Sequence, residues 1–250
     1  MMNRWTSIPA WRERRIRIRE RSVGFVPTMG ALHRGHMSLV ERCRRENEIT
    51  VASIFVNPTQ FNDPNDLAKY PATLERDLEL LRAAGVDDVL MPTEQEMYPQ
   101  GYRLRVESTA TERVMEEAYR PGFLQGVRTV VLKLFHLVRA DRAYFGEKDY
   151  QQLRTIEEMA EEFFIPTRIV ACPTVREPSG LAESSRNALL SPGAREQAAA
   201  IFRHLTEAGS PGEARRALEA DGFRVDYVEE RWNRRFAAAF LDGVRLIDNV

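Results

Sequence analysis

Between residues 23 and 172, short apolar runs alternate with segments of helical periodicity, and this alternation restricts the possible folds more than any other feature of the chain. Residues 23–28 (VGFVPT) and 49–56 (ITVASIFV) are too short and too β-branched to be helices. Residues 86–91, 142–145 and 167–172 read as further strands, and 102–107 alternates as a half-exposed strand does. Helical spacing runs through 36–47 (Met37, Val40, Cys43) and through 73–84 (Leu74, Leu78, Leu81), where Thr73 is the expected N-cap and Gly85 the stop. Further helices are predicted at 111–119, 126–138 and 149–164. Strands alternating with helices predict an α/β fold, a Rossmann-like parallel sheet with crossover helices. Such sheets bind ligands outside the carboxyl ends of their strands. The polar stretches just after the strands, 28–36, 57–60, 146–149 and 175–187, are therefore expected to converge on one crevice.

Beyond Pro173 the pattern changes. Helices are expected at 191–208 and 212–221, and strands at 224–229, 236–241 and 244–247, with Asp242-Gly243 as a hairpin turn. The expected division is a domain at 1–173 and a small C-terminal α+β domain at 174–250. A chain of 250 residues buries enough core to do without staples. Its 36 Lys+Arg against 37 Asp+Glu leave no net field that would draw nucleic acid or a membrane surface. One local exception is residues 12–21, crowded with arginine, which reads either as the solvated face of a first helix or as a polyanion patch. Cys43 and Cys172 lack metal or redox spacing and read as apolar packing residues in a reducing compartment. The first 21 residues lack the apolar stretch of a secretory signal, and no run is long enough to span a bilayer, so the expected location is cytoplasmic.

The sharpest local feature is PTMGALHRGH, residues 27–36, between a predicted strand and a predicted helix. Two of only four histidines, His33 and His36, flank Gly35 at the helix entrance. A helix N-terminus offers unpaired N–H groups and positive dipole, which favour phosphate. Gly35 admits close approach, and the imidazoles can meet phosphate oxygens as charge develops during transfer. The alternatives are incidental surface histidines, or a metal pair for which no third ligand is apparent. Phe145-Gly146-Glu147-Lys148-Asp149 joins the next strand to a helix, and Lys148 reads either as a phosphate contact or as part of an ordinary charged turn. Ser184-Ser185-Arg186-Asn187 reads as a phosphate-binding mobile loop or a simple polar one. In Asn57-Pro58-Thr59-Gln60-Phe61 the amides suit a small acid, or Asn57 merely builds a turn. Gln152, one helical turn beyond Lys148, either points the same way or lies on a helix surface.

Taken together, PTMGALHRGH, SIFVNPTQF, Tyr70-Pro71, FGEKDYQQL and SSRN, with an echo in Arg245-Leu246-Ile247-Asp248-Asn249, resemble the pantothenate synthetase (pantoate–β-alanine ligase) family in order and spacing. The resemblance implies a nucleotidyltransferase domain of the HxGH superfamily covered by a smaller C-terminal lid. It implies ATP-dependent condensation of (R)-pantoate with β-alanine through a pantoyl adenylate, releasing AMP and pyrophosphate. ATP would be a substrate with Mg2+, and the chain a homodimer. Other enzymes of the same fold that adenylate or transfer nucleotides, or a degenerate nucleotide-binding paralogue, are the competing readings. Residue by residue, His36, His33 and Lys148 would be catalytic. Met29, Gly30, Ala31, Leu32, His33, Arg34, Gly35 and His36 would cradle ATP, with Gly146, Glu147, Lys148 and Asp149, Val175 near adenine, and Glu183, Ser184, Ser185 and Arg186. Gln60 and Gln152 would hold pantoate, with Gln60 also near β-alanine. Asp77 falls in the magnesium region by resemblance, and by its own context is a helix-surface carboxylate.

Three residues depart from the family pattern. Phe123 stands where a histidine follows Pro121-Gly122, Ser179 replaces an aspartate, and Glu183 replaces an apolar residue, often methionine. A carboxylate about 6 Å from a phosphate charge costs about 3 kcal/mol per charge pair at an effective dielectric near 20, before screening. Glu183 is thus expected either to turn to solvent or to weaken ATP binding.

Overall fold

The computed structural model describes residues 2–62, 64–109 and 113–250, with the backbone alone at 64 and 65. The chain falls into two compact units: Met1–Leu32 with His36–Gly146 and Gln151–Cys172, and His33–Gly35 with Glu147–Tyr150 and Pro173–Val250. The elements up to Cys172 are β1 (Asn3–Trp5), α1 (Ile8–Arg17), β2 (Val23–Thr28), α2 (Arg34–Glu46), β3 (Ile49–Ile54), α3 (Pro64–Ala68), α4 (Leu74–Ala83), β4 (Asp88–Leu90), α5 (Glu94–Met97), α6 (Glu116–Tyr119), α7 (Phe123–Val138), β5 (Arg142–Gly146), α8 (Tyr150–Glu162) and β6 (Arg168–Cys172). They are followed by α9 (Pro192–Ala198), α10 (Ala200–Glu207), α11 (Pro211–Ala220), β7 (Arg224–Arg231), β8 (Arg234–Leu241) and β9 (Val244–Asn249).

Among the described residues, six strands of the larger unit form one sheet in the order β1-β4-β3-β2-β5-β6. Every neighbouring pair in it is parallel. The chain moves outward from β2 through β3 to β4, then returns to the other side of β2 for β5 and β6. The switch point therefore lies between the carboxyl ends of β2 and β5, which Thr28 and Gly146 close. Central strands β2 and β3 read as near-continuous apolar runs because both faces are buried. Val40 and Cys43 of α2 and Leu78 and Leu81 of α4 join Val26, Ala52 and Val89 in one core cluster. Full burial of a leucine such as Leu78 or Leu81 contributes roughly 1.5–3 kcal/mol. Burial drives the Cys43 thiol up to about 12, so it stays protonated and acts as a small apolar residue, as its spacing suggested.

The smaller unit packs α9, α10 and α11 with the antiparallel sheet β7-β8-β9. Ser191 and Ser210 cap α9 and α11, each followed by proline, whose missing N–H costs nothing at a helix start. The Asp242-Gly243 turn is present, with both residues at positive φ.

Several expectations needed correction. Residues 102–107 form no strand. Leu104 is 85% exposed, and Val106 N–H donates to the Thr129 hydroxyl instead of to a neighbouring strand. The single helix expected at 191–208 is two, because Ala199 N–H reaches back only to Glu196. Leu74 is exposed rather than part of its helix's buried stripe, and Thr73, although at the N-cap, donates its hydroxyl to Asp77. Helix α7 starts three residues earlier than expected, at Phe123. Thr111 and Glu112, at the start of the helix expected at 111–119, lie outside the described residues, and α6 covers Glu116–Tyr119.

The arginine-rich segment is only partly a solvated face. Arg14 grips the fully buried Asp88 with Nε and Nη2 at 2.9–3.1 Å. Asn3 and the Trp5 indole also donate to Asp88. Arg15 donates to the carbonyls of Val138 and Arg139. These bonds tie α1 and the unforeseen strand β1 to the sheet, and they compensate a carboxylate that would otherwise be too costly to bury.

Candidate active site

In the larger unit the segment after β2 is anchored from α4. Both oxygens of Asp77 accept backbone N–H groups, from Ala31 and Leu32, each at 2.8 Å. The Thr73 hydroxyl adds a third bond at 3.1 Å. Asp77 is 1% exposed, so the reading as a helix-surface carboxylate fails, and three hydrogen bonds engage its two oxygens with the loop and with Thr73. Among the described residues no group of three or more His, Cys, Asp or Glu is arranged to hold a metal ion. Ala31 has φ +49°, a left-handed conformation an L-residue tolerates only when its surroundings hold it there.

The Asn57–Gln60 turn is built as tightly. Asn57 is fully buried and saturated: its amide N donates to Gln60 Oε1 and Gly126 O, and its oxygen accepts from Tyr98 and Thr59. Its structural alternative therefore holds, and its task is to aim Gln60. Burial holds the Tyr98 hydroxyl up at about 12, so it remains a donor. Gln60 Nε2 lies 3.1 Å from Met29 Sδ, which brings together a predicted ATP residue and a predicted pantoate residue. A thioether is a weak acceptor, easily displaced by a ligand oxygen. Gly126 permits the approach, since a Cβ there would stand 2.4 Å from Thr59 O and 2.7 Å from Gln60 N. On α8, Gln151 is spent on Glu116 N–H and Val114 O, while the half-buried Gln152 follows it. His36 is also half-buried, in the first turn of α2.

The smaller unit holds the other predicted groups: His33, Arg34, Gly35, Glu147, Lys148, Asp149, Val175 and 183–186. Gly35 N–H donates to His33 Nδ1 at 3.2 Å. In neutral imidazole this puts the ring proton on Nε2. A side chain at position 35 would press to 2.9 Å from the His33 ring, so the glycine keeps this arrangement possible. Glu183 N–H bonds Val175 O, joining the predicted adenine contact to the predicted phosphate loop. Ser184 accepts from Arg186 N–H and starts the turn Ser185–Leu189. Asn187 secures that turn through Glu177 and Ala182 O. Lys148 Nζ stands 3.8 Å from Asp149.

The departures from the family pattern resolve individually. Glu183 does not turn to solvent: its side chain is 11% exposed and lies 3.6 Å from Arg34. Ser179 accepts Leu181 N–H in the turn at Gly180, as a short carboxylate would. Phe123 is buried under the Arg120 guanidinium, 4.0 Å from its ring centroid. Sequence reading missed Tyr98, Gly126 and the Arg176–Asp248–Asn249 group. Only the residue 245–249 echo and the lone glycine in the 126–138 helix signalled any of them.

A doubly wound parallel sheet with its switch point between β2 and β5, and with glycine, histidine and lysine on the segments that follow those two strands, defines a nucleotide-handling enzyme of Rossmann-like class. The chain belongs to the pantoate-beta-alanine ligase family, whose model matches residues 1–250. It is 51% identical over 241 residues to the pantothenate synthetase of Bdellovibrio bacteriovorus, covering 96% of this chain and 94% of that protein. The corresponding enzyme of Legionella pneumophila strain Corby is 50% identical over 228 residues, 91% and 90% of the two chains. A crystal structure of pantoate-beta-alanine ligase from Francisella tularensis, complexed with beta-gamma ATP and beta-alanine, has TM-score 0.96 at 40% identity, covering 100% of this chain and 97% of that one. Pantothenate synthetase from Thermus thermophilus has TM-score 0.90 at 44% identity, covering 100% and 99%. The protein is thus a ligase that joins pantoate to β-alanine. No helix among the described residues is long and apolar enough to cross a membrane.

Proposed function

We propose that the reaction proceeds through a pantoyl adenylate held by the residues the sequence singled out. A pantoate carboxylate oxygen attacks the α-phosphorus of ATP, and the bond to pyrophosphate breaks. The β-alanine amine then attacks the acyl carbon, and AMP leaves in place of oxide, a far poorer leaving group. His33, His36, Lys148, Ser184, Ser185 and Arg186 offset phosphate charge, with His36 as the acid. Met29–His36, Gly146–Asp149 and Val175 hold the nucleotide, and Gln60 and Gln152 hold pantoate. ATP enters as its Mg2+ complex, held through its phosphates, since Asp77 does not fit as a ligand. Residues 1–173 serve as the ATP- and pantoate-binding domain and 174–250 as the lid. The protein works as a cytoplasmic homodimer.

The observation that carries this reading is the Gly35–His33 bond. It places the ring proton of a neutral His33 on Nε2, at the entrance of α2 and within the same compact unit as Lys148 and the Ser184–Arg186 turn. ATP–pyrophosphate exchange tests it. Exchange is expected to require pantoate and to proceed without β-alanine, while AMP release requires β-alanine. Exchange absent at every pantoate concentration, or present without pantoate, would refute the adenylate route.

Glu183 supplies a second test. A carboxylate directly before a phosphate-binding turn, with Arg34 drawn toward it, opposes the nucleotide. Glu183→Met is expected to tighten ATP binding roughly three- to tenfold, the screened remainder of the charge repulsion. A clear loss of affinity in titration calorimetry would show that Glu183 supports the site instead.

A further inference from the structure

We infer that Asn249, on β9, is a positioning residue for Lys148: its side-chain amide fixes the backbone from which the lysine projects. The inference rests on the reading of Lys148 as a phosphate-binding group. Asn249 Nδ2 donates to two consecutive carbonyls, Glu147 O and Lys148 O, each at 3.0 Å. The residue is 2% exposed, so water does not compete for these bonds. Its orientation is determined by charge. Oδ1 accepts from Arg234 Nη1 at 2.9 Å, so a flipped amide would set nitrogen against guanidinium and oxygen against carbonyls. Arg234 extends the clamp by pairing with Glu147 through Nη2 at 2.7 Å.

The clamp has its own support. Arg176 bonds both oxygens of Asp248 and the carbonyl of Asn249, and Asp248 accepts the backbone N–H of Asn249. A single amide therefore satisfies the two carbonyls that flank the Lys148 Cα, and the rest of the network orients that amide. Among the described residues the Lys148 ammonium has one ion pair, at 3.8 Å to the neighbouring Asp149, so no close polar partner fixes the charged end, and the backbone held by Asn249 sets where the side chain starts. Positional error is expensive in phosphoryl chemistry. Displacing a catalytic group by about 1 Å costs up to about a hundredfold in rate.

The test is a double-mutant cycle on the full chain, read both as ATP affinity by calorimetry and as pantoate-dependent exchange. Asn249→Ala is expected to weaken ATP binding and lower exchange kcat about tenfold each, with KM for pantoate within a factor of about two. Added to Lys148→Ala, it should weaken ATP binding no further, because the group it positions is already gone. An additive loss, or parental ATP affinity in Asn249→Ala, overturns the positioning role while leaving Lys148 on the phosphates. Parental ATP affinity and exchange in Lys148→Ala overturn the phosphate reading, and this inference with it. Should Asn249→Ala fail to fold, Arg234→Met keeps the amide but frees its oxygen and Glu147. It is expected to give the same non-additive pattern with a smaller loss, and additivity there refutes the proposal equally.

Discussion

Replacing Lys148 with alanine is expected to lower pantoate-dependent ATP–pyrophosphate exchange by about 10²- to 10³-fold, the usual loss when one donor to developing transition-state charge is removed. Pyrophosphate leaves carrying charge that an ammonium at this position would offset. Stability should hardly change. The one ion pair of Lys148 among the described residues is with its neighbour Asp149 at 3.8 Å, a pair worth at most about 1 kcal/mol, or roughly 2–4 °C in a chain of this size. Lys148→Arg is not expected to restore the rate, because a planar fork does not replace a compact point charge. Exchange within about threefold of the parent in Lys148→Ala, at unchanged melting temperature, would remove Lys148 from the chemistry.

Asp77→Ala is expected to cost about 3–5 kcal/mol of stability together with most of the activity. Two buried backbone N–H groups, those of Ala31 and Leu32, lose a charged acceptor, at roughly 1.5–3 kcal/mol each. The loop they hold contains the strained Ala31 and leads directly into His33, so its release loosens the nucleotide cradle. Asp77→Asn should fall between parent and alanine, since one amide oxygen serves one N–H while the amide nitrogen faces the other. The measurement is denaturant unfolding in metal-free buffer. A magnesium-binding carboxylate would leave the midpoint unchanged there, and an unchanged midpoint would refute the anchoring role.

Much of this molecule was legible in one dimension. The strands at 23–28 and 142–145 and the phosphate-friendly residues after them were readable because β-branched runs, glycine breaks and helix entrances are local properties. Their chemistry follows from residue type and spacing. Asp77, Asn57 and Asn249 were not readable in the same way. Each is a polar residue whose meaning depends on which distant backbone groups need a partner, and hydrophobic periodicity carries no trace of that need. Asp77 is separated from the N–H groups it satisfies by more than forty positions, and Asn249 from the carbonyls it holds by about a hundred.

The same division explains the errors. Leu104 alternates like a strand residue, but alternation stabilises nothing without a neighbouring strand to complete the ladder. Arg14 and Arg15 look like two more charges in a basic stretch, until packing sets a buried carboxylate and open helix-end carbonyls before them. The sequence by itself determined the class of sheet, its order of elements and the residue types that follow its strands. The tertiary structure alone decided which polar side chains are consumed in holding the loops, because a buried donor or acceptor takes whichever partner folding brings within about 3 Å.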